Sequence, residues 1–182
     1  GNNSHAEGYK TQVVATEVTG ASHAEGISTI VTGIGAHAEG FSTQVSGNYA
    51  HAEGVHTIAS ITGAHAEGQY TIAQGLFSHA EGYGLNKFQR VQALGDYSHA
   101  EGNNTIAYSE GAHTEGFQTK VSGEYAHAEG YQTTVTGNNS HAEGKSTVVS
   151  GLVSHAEGYE TKVTGNNSHA EGYKTQVVAT EV

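Results

Sequence analysis

The 182-residue chain holds 26 glycines, no proline, cysteine, methionine or tryptophan, and only 35% hydrophobic residues, too few for an ordinary globular core. Of its 18 acidic residues, 12 are the Glu of one recurring tetrapeptide, and the other 6 are balanced by 7 bases, so the net charge of -11 belongs to one repeated position. This composition excludes disulfides, thiol catalysis and zinc–thiolate sites, offers no basic patch for nucleic acid, and contains no apolar run long enough for a membrane-spanning helix.

Along the chain, His-Ala-Glu-Gly pairs His5 with Glu7, His23 with Glu25, His37 with Glu39, His51 with Glu53, His65 with Glu67, His79 with Glu81 and His99 with Glu101. It continues with His113 and Glu115 (here Thr114 replaces Ala), His127 and Glu129, His141 and Glu143, His155 and Glu157, and His169 and Glu171. Successive copies lie 14 residues apart, except for 18 after His5 and 20 after His79. Six residues after each His stands Thr, from Thr11 to Thr175, with Leu85 as the one departure. Val or Ala follows two residues later, as at Val31, Val45, Ala59 and Val121, and a second Gly closes most copies. Residues 1–18 and 165–182 are identical, an offset of 164. The expected organisation is therefore a single repeat array over 1–182, about twelve coils, with long inserts near 9–22 and 83–98. The chain starts in mid-pattern at Gly1 with no signal peptide, which suggests an excerpt of a longer fibre with a 164-residue super-repeat.

Fourteen residues are too few for a helix pair but suffice for two short strands and two turns. The first strand is Ser/Ala-His-Ala-Glu and the second Thr-x-Val. Side chains alternate along a strand, so Ala faces one way while His and Glu face the other. Gly is expected at the two corners, where it permits positive φ. Stacking equivalent strands gives an all-β parallel solenoid with neighbouring coils about 4.8 Å apart and a length on the order of 55–60 Å. Ala, Thr and Val are expected to fill its narrow interior, with His and Glu outside.

A column that only faced water would not need the same pair in every copy, so it reads as a self-association face, an inter-chain His–Glu seam around which three rolls pack. Charged groups held away from water need such partners. A His that gains a Glu partner is expected to have a raised pKa, and association is then expected to weaken at alkaline pH. Imidazole and carboxylate are also metal ligands, but no copy of the motif stands out in the sequence, so no metal and no cofactor is expected. Catalysis needs one distinctive site, so no enzymatic activity is expected. The Thr column could match ice, but the residues after it (Gln12, Ile30, Lys120, Thr134, Val148) are too irregular for an ice plane. The second insert contains Lys87, Phe88 and Arg90, a possible contact loop, because insertions in solenoids project from the surface.

The pattern S-x-A-x-G-x-x-T/S-x-A/V-x-G resembles the head repeat of trimeric autotransporter adhesins, the YadA-like left-handed parallel β-roll, across essentially the whole chain. Here His and Glu stand where that family's strand typically has Val and Ile. The resemblance implies a homotrimer of left-handed coils at the cell surface. On that basis the chain is expected to be a structural and adhesive segment of a cell-surface fibre that binds itself and a host or surface receptor. It is expected to make no contact with nucleic acid or membrane. The alternatives are a phage tail-fibre (virion-surface) or spore-surface filament segment and, from another class, a metal- or ligand-binding repeat module.

Overall fold

The computed structural model describes residues 3–14 and 20–178, so the middle of the first long interval lies outside the described residues. The described chain winds into an all-β parallel solenoid of two 12-stranded sheets without a helix. One sheet stacks the long strands, such as His37–Phe41 and His51–Val55, and the other the short ones, such as Gln44–Val45 and Ile58–Ala59. Every pairing is parallel and in register, so His37 lies beside His51, Ala38 beside Ala52 and Glu39 beside Glu53.

The interior is filled by four small side chains per coil. Ala38, Thr43 and Val45 are at most 1% exposed, and Ala36, just before the motif, is 2% exposed. The same positions recur as Ala128, Thr133, Val135 and Ala126. A cross-section this narrow admits no Leu or Phe, so little of the stability comes from large apolar side chains. It comes from ladder hydrogen bonds that every coil repeats, such as His37 N–H to Ala50 O at 3.0 Å and Ile30 N–H to Thr43 O at 2.9 Å. The buried Thr hydroxyls extend this pattern: Thr29 donates to Gly40 O at 3.2 Å and Thr161 to Gly172 O at 2.9 Å. The Thr column is therefore internal scaffolding, with no part in an outer plane.

The glycine assignment requires a correction. The Gly of each motif was expected at a corner, but in most coils it lies inside the long strand, as Gly54 does in His51–Val55. Its φ is +116°, and an added Cβ would land on the carbonyl oxygen of Gly68 in the next coil. Corner positions with positive φ are instead held largely by other residues, among them Ser28, Ser42, His56 and Gln132. The residue type at the strand position is thus set by how closely one backbone lies on the next.

The second insert is narrower than its interval in the sequence. The long strand ends at Tyr83, and Val91 takes the register position of Thr71, so the extra residues leave the coil between these two points. Leu85 consequently never occupies the Thr position. Its side chain is 56% exposed.

We expect Gly54→Ala to lower the unfolding free energy by roughly 2–4 kcal/mol, from backbone strain and overpacking together. Gln44→Ala, on the exposed face of the neighbouring short strand, should change it by less than about 0.5 kcal/mol. Urea unfolding followed by circular dichroism measures both.

Candidate functional site

Because Ala takes the inward position of each long strand, His and Glu on either side of it must point outward. Parallel in-register pairing then repeats them at every coil, producing one column of His and one of Glu along the length of the roll. Neighbouring imidazole centroids are 4.4–5.1 Å apart. From His65 to His155 the rings lie nearly parallel, within 13° of one another. Near the first coils they tilt, by 39° between His23 and His37 and 52° between His51 and His65. All twelve pairs expected from the sequence are brought together in this way.

The partner that each His meets within the chain is the Glu of its own strand. Only His5 and Glu7 form a hydrogen bond, at 3.3 Å. His79 Nε2 is equally close to Glu81 but is not aligned with it, and from His99 to His155 the separation is 3.9 Å, too long for a hydrogen bond. The side chains are about one third to one half exposed in mid-column. Beside the column, a shallow groove of about 490 Å³ is lined by His141, His155, His169, Asn139 and Asn167.

The contact-loop residues occupy one short excursion. Asn86 Oδ1 accepts the N–H groups of Phe88 at 2.8 Å and Gln89 at 3.2 Å, which pins the turn. Arg90 Nε donates to Lys87 O at 2.8 Å, and the guanidinium lies over the Tyr70 ring at 5.9 Å. Phe88 is 83% exposed, the most exposed large apolar side chain among the described residues.

Two outer features were missed from the sequence. One is a set of short aromatic contacts: the stacks His56–Tyr70, Phe117–Tyr131 and Tyr159–Tyr173, with Phe41 edge-on to His56. Most of their members sit at the residue directly after the motif's Gly or at the positive-φ corner next to it, and that position was the available signal. The other is a set of Asx caps: Asn48, Asp96, Asn138 and Asn166 accept the N–H of Ile34, Leu76, Glu124 and Leu152 in the coil before. Each cap directly follows the second Gly of its repeat: Gly47, Gly95, Gly137 and Gly165.

A parallel β-solenoid with small residues inside and one polar pair repeated outside is a repeat scaffold, a protein whose surface is made by translation of a single unit. A family model described as the YadA head domain repeat matches in 2 copies over residues 93–108. Over those residues the chain is similar to the YadA head repeat, and the parallel solenoid of 14-residue coils supports the same reading for the rest of the array. No curated protein matches the sequence. No helix among the described residues is long and apolar enough to cross a membrane.

For His37, His79, His113, His127 and His155 the protonation expected from the sequence is reversed. Partial burial, followed by the neighbouring imidazoles of the stack, holds His37, His79, His113 and His155 below the ordinary imidazole value of 6.5. His127 falls to about 4 from the same causes, with His113 and His141 on either side outweighing the opposing pull of Glu115 and Glu143. Stacking places each His against other His, so the carboxylates are not its dominant neighbours. In the unfolded chain these groups take up protons near pH 6.5, and in the fold they do so only at lower pH. Their contribution to stability is complete above pH 6.5 and is lost as the pH falls toward the folded values. The urea midpoint should therefore drop between pH 6.5 and about 4, with a smaller drop in His127→Gln. A midpoint constant across that range would contradict this account.

Proposed function

We propose that the chain is a structural and adhesive segment of a cell-surface fibre, assembled as a homotrimer whose subunits meet on the His–Glu face. The observation that supports this reading is the continuous in-register column itself. A partly exposed row of imidazoles without hydrogen bonds to its own chain has little to gain from water alone, and a facing copy could supply both donors and acceptors. The YadA-like head repeat supports the same assembly. The role is mechanical: the ladder keeps the rod straight, and neighbouring subunits shield strand edges that would otherwise recruit foreign chains. The loop around Lys87, Phe88 and Arg90 is the receptor contact in this reading, because its exposed Phe breaks an otherwise uniform surface.

Sedimentation equilibrium at neutral pH in the presence of a chelator should give three times the 18.8 kDa chain mass. A monomer would overturn the trimeric reading. In a cell-adherence assay, Phe88→Ala combined with Arg90→Ala should lower binding at least tenfold without changing that mass. Undiminished adherence would reduce the loop to a spacer.

A further inference from the structure

In the sequence, no copy of the motif is marked out as a ligand site. In the structure, one stretch is. We propose that the segment His113–His155 binds divalent transition-metal ions such as zinc, each ion held by two vertically adjacent imidazoles and the Glu beside them. Three overlapping groups meet this description: His113, Glu115 and His127; His127, Glu129 and His141; and His141, Glu143 and His155. Within each group the candidate ligand atoms lie within 4.8 Å of one another. Among the described residues, these are the groups in which the column comes that close.

A second observation is independent of this clustering. The Nε2 atoms of His113, His127, His141 and His155 are all shielded from solvent and have no hydrogen-bond partner in the protein, a property shared with His37, His51, His79 and His99, so the clustering selects the stretch and the unmet capacity supplies the reason to bind. The nearest carboxylate oxygen of each lies 3.9 Å away, too far to accept a hydrogen bond and wide enough for a cation to enter. Two imidazoles and a carboxylate form a borderline donor set, suited to zinc, nickel or copper and poorly suited to magnesium or calcium, which take oxygen ligands. Zinc binds imidazole nitrogen at about 2.0–2.1 Å, so two His nitrogens on one ion are at most about 4.2 Å apart. The His113 and His127 rings, 4.4 Å between centroids and 8° from parallel, would have to turn out of their stack to aim both nitrogens at one ion. Both are partly exposed on the outer face, and the packing they would give up in turning is that of the imidazole stack itself.

Sharing of ligands fixes the stoichiometry. The middle group uses His127 and His141, which the outer groups also need. Four histidines taken two at a time hold two ions, one on His113 and His127 with Glu115, the other on His141 and His155 with Glu143. All of these ligands belong to one chain, so the sites do not depend on the trimeric reading.

The test is calorimetric titration of zinc chloride into the untagged chain, stripped with EDTA and dialysed at pH 7.5. Saturation at two zinc ions per chain is expected. His127→Ala combined with His141→Ala should abolish both sites, because no adjacent pair survives, while His23→Ala combined with His37→Ala should leave both in place. Circular dichroism checks that each variant is folded. Glu115→Gln combined with Glu143→Gln keeps every ring and should weaken binding at least tenfold. The absence of saturable uptake, or uptake unchanged in the His127/His141 double variant, would overturn the proposal. Sedimentation of the same samples reports assembly separately, so failure of the metal sites and failure of the trimer give different results.

Discussion

The fold depends on how closely one coil can lie on the next. Parallel strands in a ladder sit about 4.8 Å apart, and at the motif's glycine the next coil comes so near that a single methyl group would meet a carbonyl oxygen. That contact fixes the glycine at this position in coil after coil. It also keeps successive strands in register, with Ala over Ala, His over His and Glu over Glu. The narrow interior follows, because coils this tightly stacked and only 14 residues around can enclose nothing larger than Ala, Ser, Thr and Val. A molecule with so little apolar volume remains ordered because the ladder amides and most buried Thr hydroxyls find a partner in the neighbouring coil.

The outer chemistry is a by-product of the same register. Translation places like on like, so a His beside a Glu in the sequence becomes a stack of His beside a stack of Glu. His127, partly buried and with an imidazole on either side, is thereby held below the ordinary value although Glu115 and Glu143 pull the other way. A pair that would be complementary in isolation becomes, on repetition, a surface with unmet hydrogen-bonding capacity.

Much of this was legible in the sequence. The 14-residue spacing gave two strands per coil, and the alternation of His, Ala and Glu gave the inward Ala. The Thr column was rightly read as internal, since its hydroxyls could be satisfied along the stack. What escaped was anything that depended on distances between coils. The strand glycine was assigned to a corner because sequence reasoning associates glycine with turns, whereas steric contact with the next layer requires it here. The protonation of histidines such as His127 was assigned from the neighbour in the chain, while partial burial and then the stacked imidazoles lower it. The insert was spread over 83–98 because Leu85 stands at the Thr spacing, and only the pairing of Val91 with Thr71 shows where the chain rejoins the coil.

Near-identical coils have a further consequence for the excursion between Tyr83 and Val91. Two copies of a perfectly periodic rod laid side by side can be displaced by one coil, or by several, and still meet almost the same surface. The His–Glu motif, repeated in every coil, does little to distinguish these alignments. The coil that carries Phe88 differs from those around it, so it serves as an index mark on an otherwise uniform ruler. A rod built from such chains could have its strands phased by that one irregular turn, and its length would then be defined to the coil.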